Sequence, residues 1–338
     1  SMIIETSPNG ASAGNDARLG PELAVHPQPD RLRAAWQLAN SVGGYLLAWT
    51  LMVFTVDISW WLTIPLAVLA AGLLVRVFII MHDCAHGSFL GSRRVNDVVG
   101  VVCGALAFTP YFRWRWEHAR HHATSGNLED RGTGDIWTMT VEEYRQASPL
   151  RRLGYRLVRN PDFHHAVGPF WLMLAKERLP HGTPNRRARR SVWWTNLFLV
   201  GMAAIGVMVF GWLDYLILQA IIIGIAGSAG IWLFYIQHQF EDAYWVRAEE
   251  WDFADAALRG SSFYKLPKVL QWFSGNIGFH HIHHLSPRIP NYRLARCHAS
   301  TGAFQQVPVL TLRGSLRTLS LRLWDEAAEK LVGYDRAR

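Results

Sequence analysis

Three short histidine-rich segments are the part of the sequence whose residue types and spacing could do chemistry. They read "HDCAH" at 82–86, "HARHH" at 118–122 and "HHIHH" at 280–284. An H-x-x-H-H motif is expected about 0.03 times by chance at this histidine content, and it occurs twice. Spacings of three and four residues place side chains on one face of a helix, where they can converge on a metal ion.

Together with the histidine of "YIQHQFE", these segments supply nine candidate metal ligands. They are His82, His86, His118, His121, His122, His238, His280, His283 and His284. Nine neutral nitrogens exceed what one metal ion can bind, so the sequence predicts two ions. Zinc, copper, nickel and iron all accept imidazole, and the ligand type therefore leaves the element open.

Other interpretations of the histidines fit less well. Buried core histidines would leave nine imidazoles that each need a partner without a shared purpose. A zinc protease would need an H-E-x-x-H motif, which the sequence lacks. A haem protein with two histidine ligands would carry paired histidines inside its membrane spans, and the spans between the histidine segments contain none.

The elements that must position these histidines are membrane helices. Half of the 338 residues are hydrophobic. Four runs are long and apolar enough to cross a bilayer of about 30 Å: Ala34–Val56, Trp60–Met81, Val192–Leu213 and Tyr215–Ile236. The first run is diluted by polar residues, and an interfacial helix is the alternative for it. The runs pair into two hairpins, with predicted turns at "DIS" (57–59) and at Asp214.

The distribution of basic residues predicts the orientation of the chain. The two predicted turns contain no Lys or Arg, whereas residues 83–191 contain 17 of the 34. This asymmetry places that segment, both termini and every histidine segment in the cytoplasm. Arg76 is expected to snorkel to the same surface. The net charge of +8 then reflects topology and contact with anionic lipid rather than nucleic-acid binding.

The sequence thus predicts an all-α integral membrane protein with four spans and a cytoplasmic helical cap that holds a di-metal site. The predicted segments are a flexible tail (1–33), a first hairpin (34–82), a first part of the cap (83–191), a second hairpin (192–237) and a second part of the cap (238–338). Residues 97–112 are expected to dip toward the bilayer, and 164–180 to form an interfacial or buried cap helix. Small residues in the fourth span, Gly224, Gly227, Ser228 and Gly230, predict close helix packing.

The three histidine segments resemble the histidine boxes H-x-x-x-H, H-x-x-H-H and H-x-x-H-H of the membrane fatty acid desaturase family, in the same order and after the same hairpins. The resemblance covers about residues 35–295. The boxes are shared with membrane hydroxylases, ketolases and alkane oxygenases. The stretches "QHQFED" and "NIGFHHIHHLSPRIPNYRL" look more like acyl-lipid omega-6, or delta-12-type, desaturases of bacteria.

This resemblance implies a non-haem di-iron centre held by the nine histidines, which zinc can replace in a recombinant preparation. It implies an O2-dependent desaturase that forms a cis double bond in an acyl lipid or acyl thioester. Related desaturases can add an Asn four residues before the histidine that matches His238. This chain has Phe234 there, and Asn276 is a candidate substitute. His281 lies on another helical face, and His26, His164, His165, His181 and His298 match no box.

Acidic residues near the boxes are expected to orient the imidazoles, and aromatic residues to line an acyl tunnel. The acidic candidates are Asp83, Glu117, Asp130, Glu241 and Asp242. Asp83 follows the candidate ligand His82, and Asp242 lies four residues after the candidate ligand His238, so these two are preferred. The tunnel candidates are Trp114, Trp116, Trp232 and Phe279, for which packing in a core is the alternative.

Electrons must come from a separate ferredoxin or cytochrome b5-like donor, because the sequence has neither an H-P-G-G motif nor cysteine ligands for a cluster. Its three cysteines are Cys84, Cys103 and Cys297. An arginine-rich surface could receive an acidic donor: Arg113, Arg115, Arg120, Arg151 and Arg152. The competing functions are a hydroxylase or carotenoid oxygenase with the same boxes, and a non-catalytic metal- or haem-binding membrane protein. The high arginine content favours a bacterial cytoplasmic membrane.

Overall fold

The first two predicted spans form a helical hairpin that ends in the first histidine box. The computed structural model describes residues 28–132, 134–183, 185–300 and 302–337. The hairpin consists of α1 (Arg31–Leu38), a π-helical segment (Ala39–Gly43), α2 (Gly44–Thr55) and α3 (Trp60–His86). Its two arms, Arg31–Thr55 and Trp60–His86, are long and apolar enough to cross a membrane. Because α3 continues to His86, a membrane helix itself carries the first box.

The bounds of the tail and of α3 have local causes. Residues 31–33, assigned above to the tail, are helical because Asp30 caps α1 by accepting hydrogen bonds from two backbone amides. Residues 1–27, which include His26, lie outside the described residues. Ser59 caps the start of α3, and Gly87 ends it in the left-handed region at φ 74°.

The second histidine box lies on a helix that turns away from the preceding one. Here α4 (Arg93–Leu106) and α5 (Tyr111–Thr124) meet at an angle of 101°. Pro110 stands immediately before α5 and favours this break, because the residue before a proline is disfavoured in a helix. The expected dip of residues 97–112 is therefore a bent helix pair, and the bend directs α5 toward α3.

Four short helices cover the rest of the first cap segment: α6 (Val141–Gln146), α7 (Pro149–Val158), α8 (Pro161–Ala166) and α9 (Gly168–Leu174). A 3₁₀ turn follows at Lys176–Arg178. The single helix expected over 164–180 is therefore broken into pieces. Helix α9 lies against the fourth span, where Pro169 packs on Gly227 and Phe170 on Gly224.

The second hairpin is α10 (Arg186–Phe210) and α11 (Trp212–His238), and both helices are long and apolar enough to span a membrane. The turn lies at Gly211, not at Asp214 as the sequence suggested. Gly211 has φ 77°, a conformation that glycine adopts at no steric cost. Asp214 lies in the first turn of α11, where a carboxylate interacts favourably with the helix dipole.

The C-terminal cap segment combines short helices with two small sheets that the sequence did not predict. The helices are α12 (Phe253–Arg259), α13 (Lys268–Phe273), α14 (His280–Leu285), α15 (Asn291–Ser300) and α16 (Leu312–Arg317). Strands β1 (Met139–Thr140), β4 (Leu323–Asp325) and β5 (Lys330–Val332) form one sheet, and β2 (Phe263–Lys265) pairs in parallel with β3 (Val309–Thr311). The third box is α14.

The central helix of the molecule is α3. In the most apolar 18-residue stretch of α3, 61% of the stretch is buried, whereas 17% of the corresponding stretch of α10 is buried. Three fully buried alanines on α3, Ala67, Ala70 and Ala71, allow its neighbours to approach closely, and Met52 of α2 and Leu218 of α11 join the same core. The predicted fold is confirmed: the described chain is mainly helical, with four candidate membrane spans.

Arg76 is buried rather than extended to the membrane surface, contrary to expectation. Its guanidinium donates to the Ser41 hydroxyl at 3.1 Å and to the main-chain carbonyl of Trp272, and it lies 3.8 Å from the centroid of the Trp272 ring. Arg76 therefore connects α3 to the π-helical segment of the first span and to α13.

Packing at Gly227 gives a test of the fold. A Cβ atom there would lie 2.6 Å from Cβ of Pro169, whereas a Cβ at Gly230, on the same helix, meets nothing within 4 Å. We expect Gly227→Val to lower stability by about 1–3 kcal/mol through overpacking. Gly230→Val is the matched control and should unfold at a temperature close to that of the wild-type protein. Thermal unfolding in detergent measures this, and equal losses in both variants would contradict the described contact between α9 and α11.

Candidate metal centre

Eight of the nine predicted histidines form two groups of four. Within each group, one ring nitrogen from every histidine lies within 4.8 Å of those of the other three. Site A consists of His82 and His86 on α3, His118 on α5 and His283 on α14. Site B consists of His121 on α5, His238 at the end of α11, and His280 and His284 on α14. Each site therefore draws ligands from three helices, at the cytoplasmic ends predicted for α3 and α11.

The ninth histidine, His122, lies between the sites and is closer to site A. Its Nε2 is 3.1 Å from Nε2 of His118 and 2.9 Å from Nε2 of His283. Its ring also stacks on that of His284, with centroids 4.2 Å apart. The contacts therefore favour five histidines around site A and four around site B, a division that the sequence could not give.

The H-x-x-H-H spacing explains how one short helix serves both sites. On α5, His118 and His122 are four residues apart and face site A, whereas His121 faces site B. Residues four apart differ by about 40° around a helix, and residues three apart by about 60° in the opposite sense. Helix α14 repeats the arrangement with the sites exchanged, since His280 and His284 belong to site B and His283 to site A. The second and third boxes therefore each supply ligands to both sites.

Three main-chain or carboxylate oxygens orient the imidazoles. Nδ1 of His82 lies 3.0 Å from Oδ1 of Asp83, and Nδ1 of His121 lies 2.6 Å from Oδ1 of Asp135. Nδ1 of His238 donates to the carbonyl of Gly260 at 3.0 Å. Each oxygen acts as an acceptor, so Nδ1 carries the hydrogen and the Nε2 lone pair is free to bind a metal.

Asp83 is itself held in place by a chain of hydrogen bonds. Its Oδ2 accepts from the backbone amide and from the side-chain amide of Asn291, both at 2.7 Å. Oδ1 of Asn291 accepts in turn from Gln37 of the first span at 3.0 Å. The orientation of His82 is therefore connected to α1 and α15.

The remaining acidic candidates lie elsewhere. Asp242 is exposed in the turn after α11, and Glu241 is exposed and pairs with Lys330. Asp130 pairs with Arg120, and Glu117 with Arg113. Asp242 lies four residues beyond His238 in sequence. The chain leaves the helix at Gln239, however, and this turns the Asp242 carboxylate to the surface. Asp135 takes the role predicted for Asp242, and no sequence signal distinguishes it because it lies 14 residues beyond His121 in an irregular segment.

The position where related desaturases can carry an Asn is occupied by the ring of Phe234. Its centroid lies 5.1 Å from that of His121 and 5.4 Å from that of His238. Asn276, the suggested substitute, instead accepts from Gln271 and donates to the carbonyl of Asn291. Site B therefore has four histidines and an apolar wall in the described chain. A void of about 10 Å³ adjoins it, which is the size of roughly one water molecule.

The four predicted tunnel residues lie in different surroundings. Trp114 stacks on His118 with centroids 4.3 Å apart and contacts His82 at 5.7 Å. Trp116 is half-buried on α5. Trp232 stacks on Tyr235, and Phe279 stacks on Phe263 in the core beneath α14. Only Trp114 of the four contacts the histidine sites among the described ring contacts.

The described histidines that were not predicted as ligands lie outside the two sites. His281 packs against His298 and Phe304. His164 and His165 lie on α8, and His181 is exposed. Arg113, one of the five arginines predicted to form a docking surface, lies on the inward face of α5. It is buried against Glu117 and Glu177.

The chemistry of the donor set fits a pair of metal ions. Six pairs of Nε2 atoms lie 2.9–3.2 Å apart. Where Nδ1 carries the hydrogen, lone pairs face one another at this distance and repel unless a cation lies among them. Nε2 of His86 is buried and has no hydrogen-bond partner. Burial lowers the pKa of His280, His283 and His284 well below 6.5, which keeps them in the neutral form that binds metal.

The chain also matches the sequence model of a known protein family. The sequence model described as fatty acid desaturase matches residues 59–308, which contain three of the four candidate spans and all three boxes. The chain belongs to the fatty acid desaturase family. As a family member it is an oxidoreductase of lipid metabolism, in a membrane setting that the four candidate spans support.

Individual relatives of this desaturase support the same family assignment. It is 44% identical over 322 residues to "Fatty acid desaturase" of Bacillus subtilis (strain 168), covering 95% of this chain and 92% of the relative. It is 28% identical to "Omega-6 fatty acid desaturase, chloroplastic" of Glycine max, over 80% of this chain and 63% of that protein. It is 27% identical to "sn-1 oleoyl-lipid 12-desaturase" of Synechocystis sp., over 71% of this chain and 68% of that protein.

The contrast between Asp135 and Asp242 can be tested by metal binding. We expect Asp135→Ala to weaken metal retention by about 10- to 100-fold, because His121 loses the partner that fixes its tautomer. Asp242→Ala is the matched control and should bind metal as wild type does. Competition with a chelator, followed by elemental analysis, measures both. Equal retention in the two variants would rule out an orienting role for Asp135.

The buried histidines of α14 also predict an acid-sensitive apoprotein. Their folded-state pKa values lie below the ordinary value of 6.5, so the unfolded chain binds more protons below that pH. Stability of the metal-free protein should therefore be lost as the pH falls from about 7 to 5. Thermal unfolding at both pH values measures this, and His284→Leu should reduce the dependence. An apoprotein whose unfolding temperature did not fall over this range would contradict the prediction.

Proposed function

We propose that this protein is a delta-12 (omega-6) type acyl desaturase that uses O2 and two electrons at a di-iron centre. The observation that carries the proposal is the pair of histidine sites, in which nine imidazoles meet at the ends of two candidate membrane helices. The relatives named omega-6 desaturase and oleoyl-lipid 12-desaturase support the regiochemistry.

The proposed reaction removes one hydrogen from each of two adjacent methylene groups. The acyl segment –CH2–CH2–, O2, two electrons and two protons give –CH=CH– and two water molecules. When bound, the irons would supply the oxidising power for breaking unactivated C–H bonds, which side-chain acids and bases cannot do. Site A with His122 and site B are the proposed ligands, and zinc could replace iron in a recombinant preparation.

The chain's own residues bind, orient and exclude water. Asp83, Asp135 and the Gly260 carbonyl hold three imidazoles in one tautomer, with the lone pair of Nε2 facing the centre. Trp114 stacks on His118 and fixes that ring against α3. Phe234 keeps an apolar surface beside site B, where an uncharged acyl chain is better accommodated than water.

An acyl chain from the bilayer is the proposed substrate, as a lipid or a thioester, and an apolar passage would set the position of the double bond. Trp114, Trp116, Trp232 and Phe279 are its proposed walls, of which Trp114 has the best support. Placement of the cap and both termini in the cytoplasm, at a bacterial inner membrane, is supported by the basic residues of segment 83–191.

A separate ferredoxin or cytochrome b5-like protein is the proposed electron donor. Its docking surface would use the exposed arginines of the cap, Arg120 and Arg151, rather than Arg113, which is buried. A fatty acyl or carotenoid hydroxylase is the second candidate function, because the same histidine boxes occur in that branch of the superfamily.

Product analysis in a host of known fatty acid profile tests the proposal. We expect the wild-type chain, supplied with iron and a donor, to form a new double bond at the delta-12 position. His283→Ala should abolish the product because His283 lies within site A and contacts His122. His181→Ala, an exposed histidine outside both sites, is the control and should remain active.

Mass spectrometry with double-bond localisation distinguishes the outcomes. An oxygenated lipid in place of the alkene would assign the chain to the hydroxylase branch. Equal product from the His283→Ala and wild-type chains would contradict catalysis at the histidine sites.

A further inference from the structure

A second cavity lies beside the metal centre, between the cap and the fourth span. Its volume is about 200 Å³. Residues of the loop before β1, of α7 and α8, and of α11 line it: Asp135, Ile136, Trp137, Val158, His164 and Tyr235, together with Arg159. Asp135 also contacts His121, so one end of the cavity adjoins site B.

Arg159 is a buried cation without an anionic partner in the described chain. Only 3% of it is exposed. One guanidinium nitrogen, Nη2, donates to Oε1 of Gln239 at 2.8 Å and to the carbonyl of Leu321 at 3.2 Å. Nε and Nη1 are buried and have no hydrogen-bond partner. The ring of Tyr235, whose centroid is 5.3 Å away, offers a partial counterpart.

A second buried polar atom that lines the cavity also lacks a partner. Nε2 of His164 is buried and without a hydrogen bond. Burial, then the neighbouring His165 and Arg159, lower the pKa of His164 to about 4. A buried cation and a buried ring nitrogen that both lack partners are costly. An anion would pair with Arg159 and favour the protonated form of His164, whose Nε2–H would then donate to the anion.

The cavity lies at the level expected for lipid head groups. Helices α8 and α9 are bound to the cytoplasmic half of α11, since Ser228 donates to the carbonyl of His165 at 2.7 Å and Pro169 packs on Gly227. Trp171 and Leu174 of α9 are 64% and 51% exposed, which is typical of an interfacial helix. Trp137 and Val158, each nearly 40% exposed, form the rim of the cavity.

We propose that this cavity binds the acidic group of an amphipathic lipid, a phosphate or a carboxylate, through Arg159 and His164. This inference rests on the proposed function and names the class of acyl carrier: an acidic lipid rather than a neutral one. The mostly apolar lining suits the adjoining acyl segment.

Native mass spectrometry of the purified, metal-loaded protein tests the proposal without relying on turnover. The probes are dioleoyl phosphatidylglycerol, oleate and dioleoylglycerol, which carry the same chain with a phosphate, a carboxylate or neither. We expect wild type to retain at least one acidic lipid about tenfold better than dioleoylglycerol. Displacement of the phospholipid by oleate would identify a carboxylate site, and displacement by inorganic phosphate a phosphate site.

Variants locate the binding in the cavity. Arg159→Gln should lower retention of the acidic lipid about tenfold, and Arg159→Lys should preserve most of it. Val158→Trp fills the cavity and leaves the bonds of Arg159 to Gln239 and Leu321 in place, so it decides the question if Arg159→Gln does not fold. Arg313→Gln, an exposed arginine on α16, is the control and should bind as wild type does.

Unchanged retention in Val158→Trp and Arg159→Gln, or equal retention of dioleoylglycerol by wild type, would overturn the proposal. Binding that depends on Arg159 in a protein that forms no unsaturated product would instead contradict the proposed function alone.

Discussion

Mutual repulsion among uncharged imidazoles is the constraint on which the rest of the structure depends. Six pairs of Nε2 atoms lie within 3.2 Å of each other, in surroundings from which water is largely excluded. Such a cluster is stable only when cations share its lone pairs. The carboxylates of Asp83 and Asp135 and the carbonyl of Gly260 contribute by placing hydrogens on the outward-facing Nδ1 atoms. Metal binding and the folding of the cap are therefore expected to be coupled.

The membrane helices meet this constraint by extending beyond the apolar runs. Helices α3 and α11 each continue for 27 residues and end at a ligand candidate, His86 and His238. The sites therefore lie where the hydrocarbon region gives way to the cap. Short helices α5 and α14 complete them from the cap side, and one H-x-x-H-H box serves both sites through rotation of about 100° between consecutive residues. The proposed acyl substrate and the proposed electron donor could both reach such a boundary.

The sequence predicted the features that depend on local pattern. Hydropathy identified the four spans. Histidine spacing identified eight of the nine residues that the structure brings together, and the position after the fourth span identified His238. The features it missed depend on contacts between distant segments. Asp135 and Gly260 acquire their places only when loops fold onto the ends of α5 and α11. Asp242 was selected for its proximity in sequence, yet one break in helix geometry at Gln239 turns it to the surface. Arg76 and Arg113 were expected at surfaces but form buried polar contacts. Their partners Trp272 and Glu177 lie far away along the chain, so local sequence patterns did not indicate them.

X-ray absorption at the iron edge of the purified, iron-loaded protein tests the central claim most directly, combined with elemental analysis of the same sample. We expect two iron ions per chain, coordination dominated by imidazole nitrogen, and multiple-scattering features from ring carbons. His280→Ala should change this signal by removing a site B ligand, while the exposed His181→Ala should leave it unchanged. A single ion per chain, or a first shell dominated by carboxylate oxygen or sulfur, would contradict the division of nine histidines between two metal sites.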